Sequence, residues 1–494
     1  MITRPRIKHA AAAAAGAIMA LAFAPYSIVP LAVLCPAILI WLWRDATPRQ
    51  AAWHGFWFNA GTFAVGTYWL YISIHGFGEA PLWIAFGLMA GLVGIMALYG
   101  FALGYVIARF LPPRGLLRLL VGIPAAWVLI EWWRGWFLTG FAWLSLGYSQ
   151  TDTWLAGYAP IFGVYGITAI LVVSAGALVA LIEGTRRQRI IAAVVALLLW
   201  VNGAPLLSLP WTHANGPAVS VAVVQGAIPQ DQKWQDANRE TTLNLYRDLT
   251  RGALGARVIV WPEAAPPDLA SNLADYLLDL YHDAHAHGSA LVMGILRADG
   301  DNYYNSVLSL GESVGWYSKH HLVPFAEFFP VPSFVRSWLR LNSLPYADFE
   351  RGAARQPPLD AGGLKLAASI CYEDAYGSSE LAALAGADVL VNVTNDAWFG
   401  HSSARYQHFQ IARMRAIEAR RYLIRAANDG VSGIIGPFGD VVAMAPEYRP
   451  TVLKASIVPR RGLPPYAWYG NWLIICLAGT TLLLALVWRR LGSR

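Results

Sequence analysis

Leu366-Ala367-Ala368-Ser369-Ile370-Cys371-Tyr372-Glu373-Asp374 decides how the second half of this chain folds and where its chemistry sits. A short run of small and apolar residues ends on a thiol, with two acids just behind it. An open α/β sheet presents a nucleophile in this way, on the polar end of a buried strand. Two other runs deliver different groups: Val258-Ile259-Val260-Trp261-Pro262 ends at Glu263, and Trp316-Tyr317-Ser318 ends at Lys319. A base, a cation and a thiol at three strand ends form a candidate Glu263-Lys319-Cys371 triad.

Around this triad, short β-rich runs alternate with helical stretches from Pro217 onward. Strands are expected at 219–225, 258–261, 289–294, 303–310, 313–318, 366–370, 389–393, 422–426 and 431–435. Helices are expected near 237–251, 272–287, 378–385 and 403–420. Such alternation predicts an α/β layered domain with its function at strand ends.

The remainder of the chain is of another kind. Of 494 residues, 56% are hydrophobic and 14% charged, and 22 are Trp. Residues 1–205 hold only the acids Asp45, Glu79, Glu131, Asp152 and Glu183. This composition excludes an ordinary soluble enzyme and fits a multi-span membrane protein. Apolar stretches of the length that crosses a bilayer core fall near 10–25, 28–43, 53–74, 82–108, 119–138, 160–182, 188–205 and 469–488. The expected fold is therefore eight transmembrane helices plus an αββα-type extracytoplasmic domain. The domains are 1–205 (seven helices), 206–465 (catalytic) and 466–494 (the eighth helix and a tail).

Arg and Lys set the orientation. Arg4, Arg6 and Lys8, then Arg44 and Arg49, Arg109, Arg114 and Arg118, Arg186, Arg187 and Arg189, and finally Arg489, Arg490 and Arg494 fall on alternate connections. The connections near 25–30, 75–81 and 139–159 carry none. Cationic connections stay in the cytoplasm, so both termini are expected inside and 206–468 outside. The formal charge of +7 follows from this topology and does not indicate nucleic acid. Ala10–Ala24 also has the look of a signal peptide, but Pro25 is a poor residue after a cleavage point and a retained span is the preferred reading. Glu131 and Arg134 inside the fifth span are expected to pair with each other or to face a cavity.

Three cysteines occur, and Cys35 and Cys476 lie in expected spans, which leaves Cys371 alone in the external domain. A partnerless thiol outside the cytoplasm is a candidate for reactivity. A small buried hydrophobe is the plainer alternative. His401 and His408 are too isolated for a metal site, and no cofactor-binding loop is apparent.

Trp261-Pro262-Glu263, Lys319-His320-His321-Leu322-Val323-Pro324-Phe325-Ala326-Glu327 and Cys371-Tyr372-Glu373 resemble the three motifs of the nitrilase superfamily. Asn395-Asp396-Ala397-Trp398-Phe399-Gly400, Ala412-Arg413-Met414-Arg415-Ala416, Thr139-Gly140-Phe141-Ala142-Trp143-Leu144 and Gly147-Tyr148-Ser149-Gln150 narrow the resemblance to its membrane-embedded branch, the apolipoprotein N-acyltransferase family. The chain departs from the family pattern at Ala142, usually Pro, and at Asn428-Asp429-Gly430, usually Asn-Asn-Gly.

The resemblance implies Cys371 as nucleophile, Glu263 as general base and Lys319 as oxyanion stabiliser. Glu327 would hold Lys319, Tyr372 and Glu373 would shape the pocket, and Trp234 and Trp143 would flank the substrate. It implies an inner-membrane, multi-pass enzyme with a periplasmic catalytic domain. That enzyme moves an acyl chain from a phospholipid, through a Cys371 thioester, to the N-terminal amine of a diacylglyceryl-cysteine apolipoprotein. No metal or cofactor is implied. The residue types suit this chemistry, because a thiol near its free pKa of about 8.5 needs a base and a nearby cation at neutral pH.

Phe334, Val335, Trp338 and Leu339 recur at helical spacing beside Arg336 and Arg340, behind Phe328-Phe329-Pro330. This segment reads as an interfacial lid, or alternatively as a helix packed on the domain. Tyr466, Trp468, Tyr469 and Trp472 read as an interfacial belt. The helix bearing Arg405, Arg413, Arg415, Arg420 and Arg421 either binds anionic headgroups or carries a salt-bridged face. Rival functions are a membrane-tethered nitrilase or amidase using the same triad, and a transporter with an accessory domain. The transporter is disfavoured because the spans lack a set of ionisable residues.

Overall fold

The computed structural model describes residues 5–328 and 349–492. Two compact units emerge. One comprises Met1–Pro210, Phe399–Glu418 and Pro464–Arg494, and the other Trp211–Trp398 and Ala419–Leu463.

The first unit is helical, with main helices Pro5–Met19, Leu31–Leu42, Pro48–Gly66, Leu82–Phe110, Ile123–Arg134, Ala159–Glu183, Arg186–Leu207 and Trp472–Gly492, together with Ala404–Ala419. Among the described residues, Leu82–Phe110, Trp154–Glu183 and Arg186–Leu207 are long and apolar enough to cross a membrane, and Leu31–Leu42 and Trp472–Val487 are shorter apolar helices. Helix starts follow local chemistry. Thr47 and Gln50 form a reciprocal capping box ahead of Pro48–Gly66, and Thr185 and Gln188 do the same for Arg186–Leu207. The helices approach closely where side chains are absent. A Cβ on Gly55 would run into the Gly100 carbonyl, and one on Gly61 into the Ala13 carbonyl.

Glu131 and Arg134 are both buried, yet no ion pair joins them. The Arg134 guanidinium donates to the carbonyls of Phe141 (2.6 Å) and Trp143 (2.7 Å) and to Ser145 Oγ (3.2 Å). Glu131 accepts from Thr168 Oγ1 (2.9 Å), Leu146 N (3.2 Å) and Trp127 Nε1 (3.3 Å). The expected mutual pairing is thus replaced: the 141–146 loop folds back and offers carbonyls to the cation and an amide to the anion. Likewise the arginines of Ala404–Ala419 do not form an open basic face. Arg405 and Arg415 are buried, Arg415 pairs with Glu418 (2.8 Å), and Arg413 reaches Asp152 (2.9 Å), which is the salt-bridged alternative.

The second unit holds two six-stranded sheets. Its strands in chain order are β1 (His213–Ala214), β2 (Val219–Gln225), β3 (Val258–Trp261), β4 (Ala290–Asp299), β5 (Asn302–Leu310), β6 (Val314–Ser318) and β7 (Leu359–Ala361). They continue with β8 (Leu364–Ile370), β9 (Val389–Thr394), β10 (Leu423–Ala427), β11 (Gly433–Ile435), β12 (Val441–Met444), β13 (Thr451–Ile457) and β14 (Arg460–Arg461). One sheet runs β13-β2-β3-β4-β5-β6 and the other β12-β11-β10-β9-β8-β7; β1 pairs with β14. The parallel centres, β2-β3-β4 and β8-β9-β10, are the continuous apolar runs, because both of their faces are buried.

The facing sheets share one core, with Val221, Val223, Val260 and Val292 on one side and Leu366, Ile370, Val391, Val393 and Ile424 on the other. The outer face of the first sheet, with Ala222, Val224, Ile259 and Met293, is covered by Leu243 and Tyr246 of helix Arg239–Ala253 and by Leu277 and Leu280 of helix Ala274–Ala286. Three layers of the expected helix–sheet–sheet–helix order, one helix layer and two facing sheets, are therefore established in this unit. Strands β1, β7, β12, β13 and β14 have no counterpart among the expected strands. In β13, half-buried residues and Lys454 at a sheet edge lack the apolar signature.

Candidate active site

Three strand ends converge in the second unit. Strand β3 hands over Pro262 and then Glu263, and the turn is tightened by Ala264 at φ +44°. Gly294 on neighbouring β4 makes room for it: a Cβ there would lie 2.5 Å from Glu263 Cα. Strand β6 ends at Lys319, whose N–H bonds the Asn305 carbonyl on β5 (2.8 Å). Strand β8 ends at Cys371, which adopts φ +52°. A non-glycine residue in this region costs about 1 kcal/mol or more, a strain that collects at functional sites.

The side chains form one network. Lys319 Nζ donates to Glu327 Oε1 (2.8 Å) and to Glu263 Oε1 (3.4 Å). Asn305 Nδ2 bridges the same two carboxylates, 2.7 Å to Glu263 Oε1 and 3.0 Å to Glu327 Oε1. The second oxygen of Glu263 accepts from Asn395 N (2.9 Å), and the second oxygen of Glu327 from Val323 N (2.8 Å). Asn395 is itself held by Gln230 (2.8 Å) and Asn428 (3.1 Å). Asn428 thus stays engaged, and the departure from the family pattern falls on Asp429. Lys319 is 1% exposed, so its charge is tolerable only because two carboxylates face it.

The charges act on one another. Burial alone would lower the Lys319 ammonium, but Glu327, Glu263 and Cys371 outweigh it and carry the group well above the usual lysine range. Burial pushes the Cys371 thiol well up and Glu263 adds to the rise, whereas Lys319 and the Thr394 hydroxyl oppose it. The resting group is therefore a protonated thiol that needs a base at the moment of attack.

Beneath Cys371, Asn392 Nδ2 donates to its carbonyl (3.3 Å) and accepts at Oδ1 from the Arg425 guanidinium (2.6 Å). Fully buried Arg425 also bonds Asp374 and Asp396, each at 3.1 Å. Glu373 is a clamp between two strand ends. It takes the amides of His320 (2.7 Å), His321 (3.0 Å) and Ile370 (2.8 Å) and the hydroxyl of Tyr317 (2.9 Å). Burial raises its carboxyl against those donors.

Tyr372 is half-buried, with its hydroxyl 2.9 Å from that of Tyr376, whose ring stacks on His321 at 4.4 Å. Trp234 is 48% exposed. Trp143 belongs to the helical unit, where it is 1% exposed and its indole donates to Gln407 (2.8 Å), so it offers no open surface for a substrate. Phe334, Trp338 and Leu339 lie outside the described residues.

Asn305, Thr394, Arg425 and Lys233 lie outside the three motifs that point to the triad. A polar side chain inside an otherwise apolar strand is the signal that marks Asn392 and Arg425.

The carbon-nitrogen hydrolase family matches residues 220–461, and the apolipoprotein N-acyltransferase N-terminal domain matches residues 15–177. Apolipoprotein N-acyltransferase of Methylococcus capsulatus is 42% identical over 92% of this chain and 91% of its own. The chain belongs to the apolipoprotein N-acyltransferase family. Other members are those of Azotobacter vinelandii, 40% identical over 99% of this chain and 97% of its own, and Vibrio parahaemolyticus, 38% identical over 97% of each. A solved carbon-nitrogen hydrolase from Helicobacter pylori aligns with 56% of this chain and 96% of its own at 18% identity and a TM-score of 0.39. Family membership makes the chain an acyltransferase of lipoprotein biosynthesis with a nitrilase-type catalytic unit. The hydrolytic and transporter readings give way, because full-length relatives are N-acyltransferases.

Proposed function

We propose that the chain transfers an acyl chain from a membrane phospholipid to the N-terminal amine of a diacylglyceryl-cysteine apolipoprotein, with Cys371 as the carrier. The observation that carries this reading is the buried Glu263–Lys319–Glu327 network at the strand ends beside a strained, protonated Cys371 thiol. Glu263 takes the thiol proton as sulfur attacks the ester carbonyl, and Lys319 stabilises the oxyanion, a contribution of about 3–4 kcal/mol. Collapse returns the proton from Glu263 to the leaving oxygen and releases lysophospholipid.

The acceptor amine then attacks the thioester, Glu263 accepts its proton, and Cys371 leaves and is reprotonated. Thioester to amide is downhill, so no ATP is needed. Glu327 fixes Lys319, and Glu373 fixes the two strand ends.

Placement follows the same reading. The eight main helices cross the inner membrane, both termini are cytoplasmic, and residues 206–465 form the periplasmic catalytic domain. The distribution of Arg and Lys supports this. Exposed Trp234 flanks the acyl chain.

The test is acyl-enzyme trapping with a labelled phospholipid. Wild type should accumulate hydroxylamine-labile label, Cys371→Ala none, and Glu263→Gln should acylate about 100-fold more slowly or worse. Label persisting on Cys371→Ala would remove Cys371 as the carrier.

A further inference from the structure

In Gln230-Asp231-Gln232-Lys233-Trp234, two residues turn inward and the others outward. Gln232 and Trp234 are exposed, whereas Gln230 is 7% and Lys233 1% exposed. Gln230 is spent on Asn395, the residue whose amide holds Glu263. Lys233 Nζ donates to the main-chain carbonyl of Glu263 (3.1 Å), and its ammonium lies 5.9 Å from the Trp234 ring centre. Among the described residues no carboxylate lies within ion-pair distance of it.

A buried lysine with no carboxylate in ion-pair contact is expensive. Its location offsets that expense only if the cation does something there. The carbonyl it grips belongs to the base and precedes Ala264, the residue at φ +44°, and Gly294 packs against the other side of the same turn. Without the ammonium, that carbonyl would lose a charge-assisted bond in the one turn that aims the carboxylate.

We propose that Lys233 is a positioning residue for acyl transfer: its ammonium pins the Glu263 main chain and so holds the carboxylate of the base in place. This rests on the reading of Glu263 as base. The groups facing Glu263 are Lys319, Asn305, the Asn395 amide and Cys371 around the carboxylate, Glu327 through Lys319 and Asn305, and Lys233 behind the main chain. Burial brings Lys233 down to about 8, with the Glu263 charge opposing. The side chain is thus still mostly cationic at neutral pH.

The experiment uses the full-length enzyme in phospholipid nanodiscs containing a labelled sn-1 acyl chain, with single-turnover acylation of Cys371 followed across pH. Lys233→Met should slow acylation about 100-fold at saturating donor, the scale of a small misplacement. It should leave donor half-saturation unchanged. Lys233→Gln keeps an N–H for the carbonyl but no charge, so it should recover part of the rate.

A wild-type rate in Lys233→Met, or a loss confined to half-saturation, overturns the inference. If Lys233→Met shows no folded melting transition, Lys233→Gln decides alone: a wild-type rate, or a loss confined to half-saturation, overturns the inference. Parallel Cys371→Ala and Glu263→Gln samples separate the two levels. A wild-type-like Lys233→Met beside inactive controls sinks only this inference, whereas active controls sink the reading beneath it.

Discussion

At the scale of single residues, the site is governed by which charge each group faces. Cys371 meets the Glu263 carboxylate and the Lys319 ammonium together, and burial plus Glu263 win: the thiol is raised. Removing the Glu263 charge should therefore make Cys371 easier to ionise. In a background lacking Cys35 and Cys476, the midpoint of the alkylation pH–rate curve should fall in Glu263→Gln. An unchanged or higher midpoint would show that Glu263 does not act on the sulfur. Glu373 belongs to the same scale but to stability: its four donors come from three amides and a hydroxyl. Glu373→Gln presents an NH2 group to some of them, which should cost about 2–4 kcal/mol in denaturant unfolding of the catalytic unit, with activity lost in step.

Elements convert these residues into a site by ending where they do. Residues 219–225 and 258–261 are legible as strands because burial on both faces leaves unbroken Val and Ile runs. Edge strand β7 is only three residues long, too short to show a pattern, and β13 shows none because six of its seven residues are exposed or half-buried. Close approach is equally silent in sequence. Gly294 reads as a weak point in β4 until its neighbour proves to be the Glu263 turn. Gly294→Ala should force that turn outward, slow acylation about 100-fold and destabilise the unit by about 1–3 kcal/mol. Normal acylation in that variant would mean the turn tolerates the shift.

For the whole molecule, orientation rests on charge alternation between apolar helices. In a background without native cysteines, Glu79→Cys should react with a membrane-impermeant maleimide in intact spheroplasts, and Arg187→Cys only after lysis. The reverse pattern would invert the topology. Grouping of residues is a matter for the folded chain. Phe399–Glu418 follows the catalytic motif closely in sequence yet clusters with the apolar helices, and the Trp69–Trp143–Phe399 aromatic contacts are part of that clustering.

Sequence alone determined the residue types at the three strand ends, the layered α/β character of the catalytic unit and the family, because apolar runs and motif spacing are local properties of the chain. Tertiary structure alone decided what each polar side chain does. Glu131 and Arg134 are satisfied by a returning loop rather than by each other, Glu373 ties two strand ends, and Lys233 reaches the Glu263 main chain. A buried polar group takes whichever partner folding brings within about 3 Å, and that partner is set by chain packing rather than by sequence neighbourhood.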